Sequence, residues 1–527
     1  MEVTEQIALK TGEQFKESLR DNREVWYRGE QVEDVTTHPA TAGGIDLLAT
    51  SYEAQHDPET RDILTFERED GKRISKAWMV PRSPEDLASR RECMEYLARE
   101  TFGIFGRHMD MISCTHVGMQ AFKHLFEESN PEYADNITNY IEYAGDNNLM
   151  CAAPVADPQG WRSRGSALGR RGIPLFDTSK GDEGISTDRD RSMLDLEIDG
   201  TVLPGSLRMV KENDEGIWIS GAKIVASVGP QCHELIVSNI ALPDPSPTSS
   251  FWLHVPVESE GVRLVCREMS GQPEESFHDH PLASRGEEMD ALAIFEDVFV
   301  PRWRMSSYGW TGIGPHYGKI GALEHFHTLT KLCVKAELFV GLLDLITEGI
   351  GIAHRPGVRQ LVAEVIEYAQ VLRGMVIAAE SNAYMTDSGV WWPDEKLITA
   401  GRTYALGLYP HMLHRLTELG GQGPILRWSE KDLDHPVIGP RLNFLYEGAE
   451  ISTWDKNLLM NLLWDLTSSS HAGRVSLFEN VNGFPVPYLR ERMVREYDRS
   501  AAVEHIRKFL GGRSDLERDA KSNGDGK

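Results

Sequence analysis

The sequence predicts an α+β chain in three parts, a helical region, a middle β region and a C-terminal helical bundle, and three observations carry that expectation. At 527 residues the chain exceeds what one compact core serves, so two or three structural units are expected. From about Leu149 to residue 303 the texture is one of short β-type runs separated by Gly, Pro and Asp. Beyond about residue 318 it changes to long amphipathic segments that end on Gly or Pro signals. A cleft between the β layer and the bundle is then the default ligand site.

Residues 1–150 read as mainly helical with loops. The stretch SPEDLASRRECMEYLARE sets Ser83 where an N-cap belongs and Pro84 in the first helical turn, and its apolar residues recur every three and four positions. In the β region, 151–303, the strand-like runs are GIWISGAKIVAS, ELIVSNIAL, SFWLHVPV, GVRLVCREM and MDALAIFEDVFVPRW. Residues 162–192 within it are rich in Gly and charge and read as a long inserted loop, a lid or an assembly arm. The third part, 304–510, holds three long helical patterns, KIGALEHFHTLTKLCVKAELFVGLLDLITEGIG, GVRQLVAEVIEYAQVLRGMVIAAESNAYM and DEKLITAGRTYALGLYPHMLHRLTELGG. The tail, 511–527, is polar and charged and is expected to be disordered.

Composition narrows the class. With 40% hydrophobic and 26% charged residues the profile is that of an ordinary globular protein, and no window holds the 18 or so uninterrupted apolar residues of a membrane span. The start lacks a basic segment followed by an apolar one, so the expected compartment is the cytosol. Six cysteines, at 93, 114, 151, 232, 266 and 333, form no CxxC pair, which argues against a disulfide framework or a zinc or iron-sulfur site, and no metal is expected. A formal charge of −26 repels nucleic acid and anionic lipid, so the expected partner is a small molecule. GxGxxG after a strand, a P-loop, GxSxG and HExxH are all absent. Any site is therefore a composite one.

One stretch invites a closer reading: RRECMEYLARETFGIFGRHMDMISCTH, residues 90–116, runs a helix into Gly103, Gly106 and Arg107 beside His108 and Asp110. Two glycines let the backbone approach a bound ring, with Arg107 pointing into the cavity they open. The plainer reading makes Arg107 a helix-end cap paired with Asp110.

The segments GEQVEDVTTHPA, YEAQHDPETRDILTF, VPRSPEDLASRRECMEYLARETFGIFGR, SGAKIVAS, GVRLVCRE, HPLASRGEEMDALAIFEDVFVPRW, LCVKAELFVGLL, SEKDLDHPVIGPRLNFLYEG and LLWDLTSSSHAGRVSLFE lie along nearly the whole chain. In that order they resemble the oxygenase component of 4-hydroxyphenylacetate 3-monooxygenase, a family with chlorophenol monooxygenases among its relatives. The resemblance implies an acyl-CoA-dehydrogenase-like fold: an N-terminal helical domain (1–150), a middle antiparallel β-barrel (151–303) and a C-terminal four-helix bundle (304–510), assembled as a homotetramer. It implies a flavin-dependent monooxygenase that receives FADH2 from a separate NAD(P)H:flavin reductase. The reduced FAD reacts with O2 to give a C4a-hydroperoxide, whose distal oxygen passes to a small aromatic or heteroaromatic substrate. Such chemistry asks for a dry pocket with a few fixed hydrogen bonds to the flavin.

Carried over residue by residue, the resemblance puts Arg107 against flavin and substrate, where its permanent charge steadies an anion. DPQGWRS brings Gln159 and Arg162 to the flavin, and GAKIVAS brings Ser227; without the resemblance these are a polar turn and a strand-end hydroxyl. In EHFHTLTK, His325 and His327 are alternatives for a histidine or glutamine near the flavin, and their spacing puts them on different helix faces. FLYEGAE and HAGRVSLFE make Gly448, Glu450, Gly473 and Arg474 candidates for the cofactor groove.

The chain also departs from the family. Where the phenol hydroxylases read GRSPDY it reads GRHMDM, so Met111 stands for the Tyr that contacts substrate, and Ala153 stands for a His that hydrogen-bonds or deprotonates the phenol. Neither can act as a base, a role that supplies typically about 10²- to 10⁴-fold. Either His108, His116 or another group has taken the role from a new position, or the substrate is not a simple phenol; the two losses on one wall, with the 162–192 insertion, favour the second. Two other readings compete: a CoA-ester dehydratase of the 4-hydroxybutyryl-CoA type, for which Cys93 lacks a partner cysteine one turn on, at Leu97, and a flavin-binding homologue that has lost activity.

Overall fold

The structure, a computed structural model, describes residues 9–158, 195–198, 201–239, 246–271, 276–481 and 484–511. Gln159, Arg162, the 162–192 insertion and residues 512–527 of the tail lie outside the described residues.

The helices that shape the site are numbered here in chain order. The first, α1 (Pro84–Glu100), starts as the sequence predicts: the Ser83 hydroxyl accepts from the Asp86 amide at 3.1 Å, and the Asp86 carboxylate accepts from the Ser83 amide at 3.1 Å. Next, α2 (Ser113–Ala121) is buried along its whole length. The bundle consists of α3 (Ala322–Gly349), α4 (Pro356–Ser381), α5 (Glu395–Gly420) and α6 (Thr453–Thr467), with α7 (Ser470–Val481) and α8 (Val486–Glu496) closing it. Helix α1 packs on α3, so the N-terminal region and the bundle share a face.

Among the described residues ten strands build two larger sheets: β1 (Glu24–Tyr27), β2 (Glu30–Gln31), β3 (Cys151–Ala152), β4 (Arg208–Glu212), β5 (Gly216–Lys223), β6 (Glu234–Ser238), β7 (Phe251–Pro256), β8 (Val262–Cys266), β9 (Ala291–Pro301) and β10 (Met305–Tyr308). The first sheet runs β2-β1-β8-β9-β5-β4 and the second β10-β7-β6-β3. Among the described residues these two sheets do not close into the single antiparallel barrel expected from the resemblance. Both also contain a parallel pair: β1 with β8 (Glu24 opposite Arg263) and β3 with β6 (Cys151 opposite Glu234). The long strand β9 breaks register between Phe295 and Val298, where Asp297 takes φ +51° and bonds the Ser220 hydroxyl through both its amide and its carboxylate at 2.9 Å.

One hydrophobic core runs through all three parts, from Phe15 and Trp78 through Leu235, Trp252 and Phe295 to Phe326, Leu372 and Leu463. Its centre is the N-terminal half of α3, in which every residue from Ala322 to Ala336 is buried. Glu324, His325, His327, Lys331 and Lys335 lie in that stretch, and buried ionisable groups must find partners or a ligand. This half-helix positions the candidate site. No helix among the described residues is long and apolar enough to cross a membrane.

Candidate active site

Helix α1 stops at Glu100 because the next residues turn left-handed: Phe102 has φ +53° and Gly103 φ +65°, with the Gly103 amide donating to the Ala98 carbonyl at 2.7 Å. A Cβ on Gly103 would sit 3.0 Å from the Lys335 side chain, and one on Gly106 would sit 2.0 Å from the Phe478 ring. Gly106 therefore admits the ring of Phe478 of α7, and Gly103 the side chain of Lys335. The loop presses onto α3 and α7, and the Arg107 amide then donates to Glu288.

This seating aims the Arg107 side chain. Its guanidinium carbon lies 5.5 Å from the Phe478 ring centroid, which also has Lys331 at 5.3 Å and Arg474 at 4.7 Å. Its Nη1 is buried and makes no hydrogen bond, and Asp110, the partner in the plainer reading, is engaged elsewhere. Asp110 Oδ1 lies 3.0 Å from His327 Nε2; burial alone would raise this carboxyl, but the His327 charge and hydrogen bond bring it below its ordinary range.

The two bundle histidines do face different ways. His327 turns to Asp110, while His325 meets the rings of Tyr317 and Phe484 edge-on at 6.3 and 6.4 Å, with its Nε2 buried and unpartnered. Burial, then Arg402, Arg492 and Arg107, hold His325 well below its ordinary value, so it is neutral. Arg107 also acts on the Tyr317 phenol. The Arg107 charge is thus felt at both Tyr317 and His325, and Glu324, which acts on Tyr317 as well, accepts from the Thr115 hydroxyl at 2.9 Å. Thr115 lies one turn beyond Met111, and Gly118 of the same helix is so close to the bundle that a Cβ would lie 1.8 Å from the Ile320 carbonyl. Met111, fully buried, lies two residues before this helix.

A second line of partners links three further candidates. The Ser227 hydroxyl donates to Asp290 Oδ1 at 2.5 Å, Arg474 donates to Asp290 at 2.7 and 2.9 Å and to Glu288 at 2.6 Å, and Glu288 holds the Arg107 amide. Burial would raise the Asp290 carboxyl, but Arg474 and Arg267 hold it down at about 2, so it stays ionised. A continuous polar chain runs from the end of β5's connection to the arginine loop. Its acids, Glu288 and Asp290, are two of the three acids of EEMD, which no sequence spacing marks as a site.

The other candidates fall outside this centre. His108 is fully engaged: Nδ1 accepts from the Met109 amide at 2.9 Å and Nε2 lies 3.1 Å from the Ser51 hydroxyl, while burial lowers its pKa to about 4. His116 bonds the Ile112 carbonyl at 3.1 Å and His254 at 3.3 Å, stacks on Tyr140, and is lowered by burial to about 3. Neither offers a free ring nitrogen. Ala153 is half-buried one residue beyond β3, and Gly473 is exposed. Gly448 and exposed Glu450 pack by Gly349 at the far end of α3, with the Glu450 amide donating to the Gly349 carbonyl at 3.0 Å. At about 1.5 Å per residue that is about 33 Å along the helix from His327. Missed by sequence reasoning are Tyr317, Glu324, Arg402, and the buried pairs of Glu479 with Lys331 at 2.7 Å and Lys335 at 2.6 Å.

The family model for the 4-hydroxyphenylacetate 3-hydroxylase N-terminal part matches residues 11–174 and 184–305, and that for the C-terminal part matches 316–511. The chain is 30% identical over 497 residues, 92% of its length and 87% of the other's, to the oxygenase component of 4-nitrophenol 4-monooxygenase/4-nitrocatechol 2-monooxygenase of Rhodococcus opacus. The crystal structure of HpaB, the oxygenase component of 4-hydroxyphenylacetate 3-monooxygenase, complexed with FAD and 4-hydroxyphenylacetate, superposes with TM-score 0.83 at 29% identity, covering 95% of this chain and 98% of that one. An archaeal 4-hydroxybutyryl-CoA dehydratase from N. maritimus shares the fold at TM-score 0.79 and 17% identity, covering 96% and 95%.

Proposed function

The chain belongs to the 4-hydroxyphenylacetate 3-hydroxylase family, and from that premise we propose that it is the oxygenase component of a two-component, FADH2-dependent aromatic monooxygenase. Its partners are a separate NAD(P)H:flavin reductase and a small aromatic or heteroaromatic substrate. The observation that carries the reading is that Arg107 Nη1 and His325 Nε2 are both buried without protein partners, with the Arg107 charge felt at His325. An unmet buried donor costs about 1–3 kcal/mol, so such a pair fits a bound group with polar edges, as an isoalloxazine or a substrate oxygen has. When bound, reduced FAD supplies the chemistry of O2 activation and oxygen transfer.

The chain's own residues do the rest. Arg107 holds a fixed positive charge at the reacting centre, set in place by Glu288 and Phe478. His325, neutral, offers Nε2 for a hydrogen bond; His327 holds Asp110 through Nε2, which positions the loop, and keeps a buried Nδ1 without a partner. Ser227 and Arg474 contribute through the Asp290 and Glu288 chain. Met111, buried just before helix α2, excludes water around it. Gln159 and Arg162 complete the flavin contacts on the strength of the family pattern alone. Gly448 and Glu450 serve the cofactor groove from a neighbouring copy in the homotetramer that the resemblance implies.

The test is anaerobic titration with FADH2, then O2 with a candidate phenol. Hydroxylated product formed in proportion to FADH2 supports the reading; immediate and complete release of hydrogen peroxide, or no affinity for FADH2, defeats it.

A further inference from the structure

Resting on that reading and deepening it, we infer that Asp290 makes the site selective for reduced over oxidised flavin: it takes the only proton of the Ser227 hydroxyl, which leaves Ser227 Oγ able to accept a hydrogen bond and unable to give one. Ser227 is buried and donates to Asp290 Oδ1 at 2.5 Å, and among the described residues nothing donates to its oxygen in return. A hydroxyl has one proton and two lone pairs. A donor that faces Ser227 therefore finds a lone pair, and an acceptor finds nothing.

The direction of this bond is set by what surrounds Asp290. Its Oδ1 also accepts from Arg474 at 2.7 Å, and its Oδ2 accepts from Arg474 at 2.9 and 3.0 Å and from Arg267 at 2.7 Å. Burial works against ionisation, but the two guanidinium groups hold the carboxyl at about 2, so it has no proton to return to Ser227. The backbone fixes Ser227 from both sides. The Ala226 amide donates to the Ala291 carbonyl and the Val228 amide to the Met289 carbonyl, each at 2.9 Å. Val225 and Val228 take φ +59° and +56°, a left-handed conformation that β-branched residues avoid. Such strain persists where the surroundings over-determine the backbone, and it gathers at ligand-binding positions. Two strained residues flanking one buried hydroxyl therefore mark Ser227 independently of the family pattern.

The ligand supplies the other half of the match. Reduced isoalloxazine carries a hydrogen on the N5 nitrogen of its central ring, where the oxidised ring has a bare nitrogen. With Ser227 at the ring, the reduced form donates to Oγ, whereas the oxidised form sets one acceptor against another and leaves both unbonded. The same contrast favours release of the flavin once it is oxidised. Asp290 touches no flavin in this account; it is a positioning residue that acts through the Ser227 proton.

The test measures the binding of FAD and, without oxygen, of FADH2 to the same protein, with the reduction potential of the bound flavin as a second readout. FADH2 should bind about tenfold or more tightly than FAD, and the bound potential should lie about 30 mV above that of free flavin for each tenfold. Ser227→Ala should weaken FADH2 and leave FAD unchanged, so that the ratio collapses, while Ser227→Thr keeps the hydroxyl and should keep the ratio. Asp290→Asn frees the hydroxyl to turn and should tighten FAD. Because Asp290 also holds Arg474 and Arg267, the deciding comparison is Ser227→Ala with and without Asp290→Asn, which should show the same ratio. Ser227→Ala alone decides the matter should Asp290→Asn fail to fold. Equal affinities in the unaltered protein, a Ser227→Ala loss shared by both forms of the flavin, or a further change of ratio in the double variant overturns the inference. No turnover enters these measurements, so they can fail while the FADH2 and O2 assay succeeds; binding of neither form defeats the proposed function and this inference together.

Discussion

In the proposed function Arg107 is the residue on which the site turns, and its position depends on what glycine omits. Gly106 lies flat against Phe478, where a Cβ would come within 2.0 Å of the ring. Gly106→Ala must therefore move Phe478 or the loop, at about 1–3 kcal/mol, and it displaces Arg107 with them. The expected outcome is a lowered urea midpoint together with a weaker affinity for reduced FAD, whereas a Gly→Ala change that only trimmed chain entropy would raise the midpoint. Arg107→Ala removes the charge and leaves the fold standing; kcat for product formation should fall by about 10²- to 10³-fold, with hydrogen peroxide taking the place of product. Arg107→Lys keeps a point charge without the fork and should recover only part of the loss. Product and peroxide measured on the same samples decide between these outcomes.

At the scale of elements, the buried half of α3 explains why the loop can press so close. Lys331 and Lys335, one turn apart, both reach Glu479 of α7, at 2.7 and 2.6 Å, and tie the two helices that hold Phe478. Burial would raise the Glu479 carboxyl, but the two ammonium groups hold it at about 2, whereas burial outweighs attraction at Lys331, which falls to about 8. The geometry favours the charged triad at neutral pH. Since the folded value of Glu479 lies below the unfolded one, its contribution to stability is complete above about pH 4.5 and is lost as pH falls towards 2. Lys331 has the same sign of shift, so it favours the fold more as pH rises from about 8 to 10.5. Glu479→Gln strands two buried cations and should cost about 3–5 kcal/mol, read from denaturant midpoints at neutral pH, and should flatten the acid limb of stability. Little of this was legible in the sequence. Helix α1 could be read from Ser83 and Pro84, because capping is local, and the three long bundle helices from their period. Glu479 could not be assigned, since its partners lie 148 and 144 residues away. The same holds for β1, whose parallel partner β8 lies more than two hundred residues on, and for Glu288 and Asp290, which acquire meaning only when Arg474 folds back onto them. The family pattern supplied Arg107, Ser227 and Arg474 without the acids that join them.

For the whole molecule, the question is why Gly448 and Glu450, drawn to the cofactor by the same pattern, lie at the far end of α3 from His325. Within one copy they cannot meet a flavin held by Arg107. Beside them Phe444 and Leu445 are 80% and 78% exposed, and the helix Ser500–Leu510 buries none of its residues while turning Val503, Ile506 and Phe509 to one side. Exposed apolar side chains of this kind mark patches that another molecule covers. If the cover is a second copy, Gly448 and Glu450 are brought to the neighbour's groove, and reduced-flavin affinity becomes a property of the assembly. Ile506→Asp with Phe509→Asp, on a helix that contributes nothing to the core, should split the oligomer in sedimentation while leaving the far-ultraviolet spectrum unchanged. The affinity for FADH2 should drop about tenfold or more in the dissociated species, a loss of about 1.4 kcal/mol. Glu450→Ala should weaken affinity in the assembled protein and change nothing once the copies are apart. Equal affinity in assembled and dissociated protein would remove Gly448 and Glu450 from the cofactor site and leave the Arg107 centre to hold the flavin within a single chain.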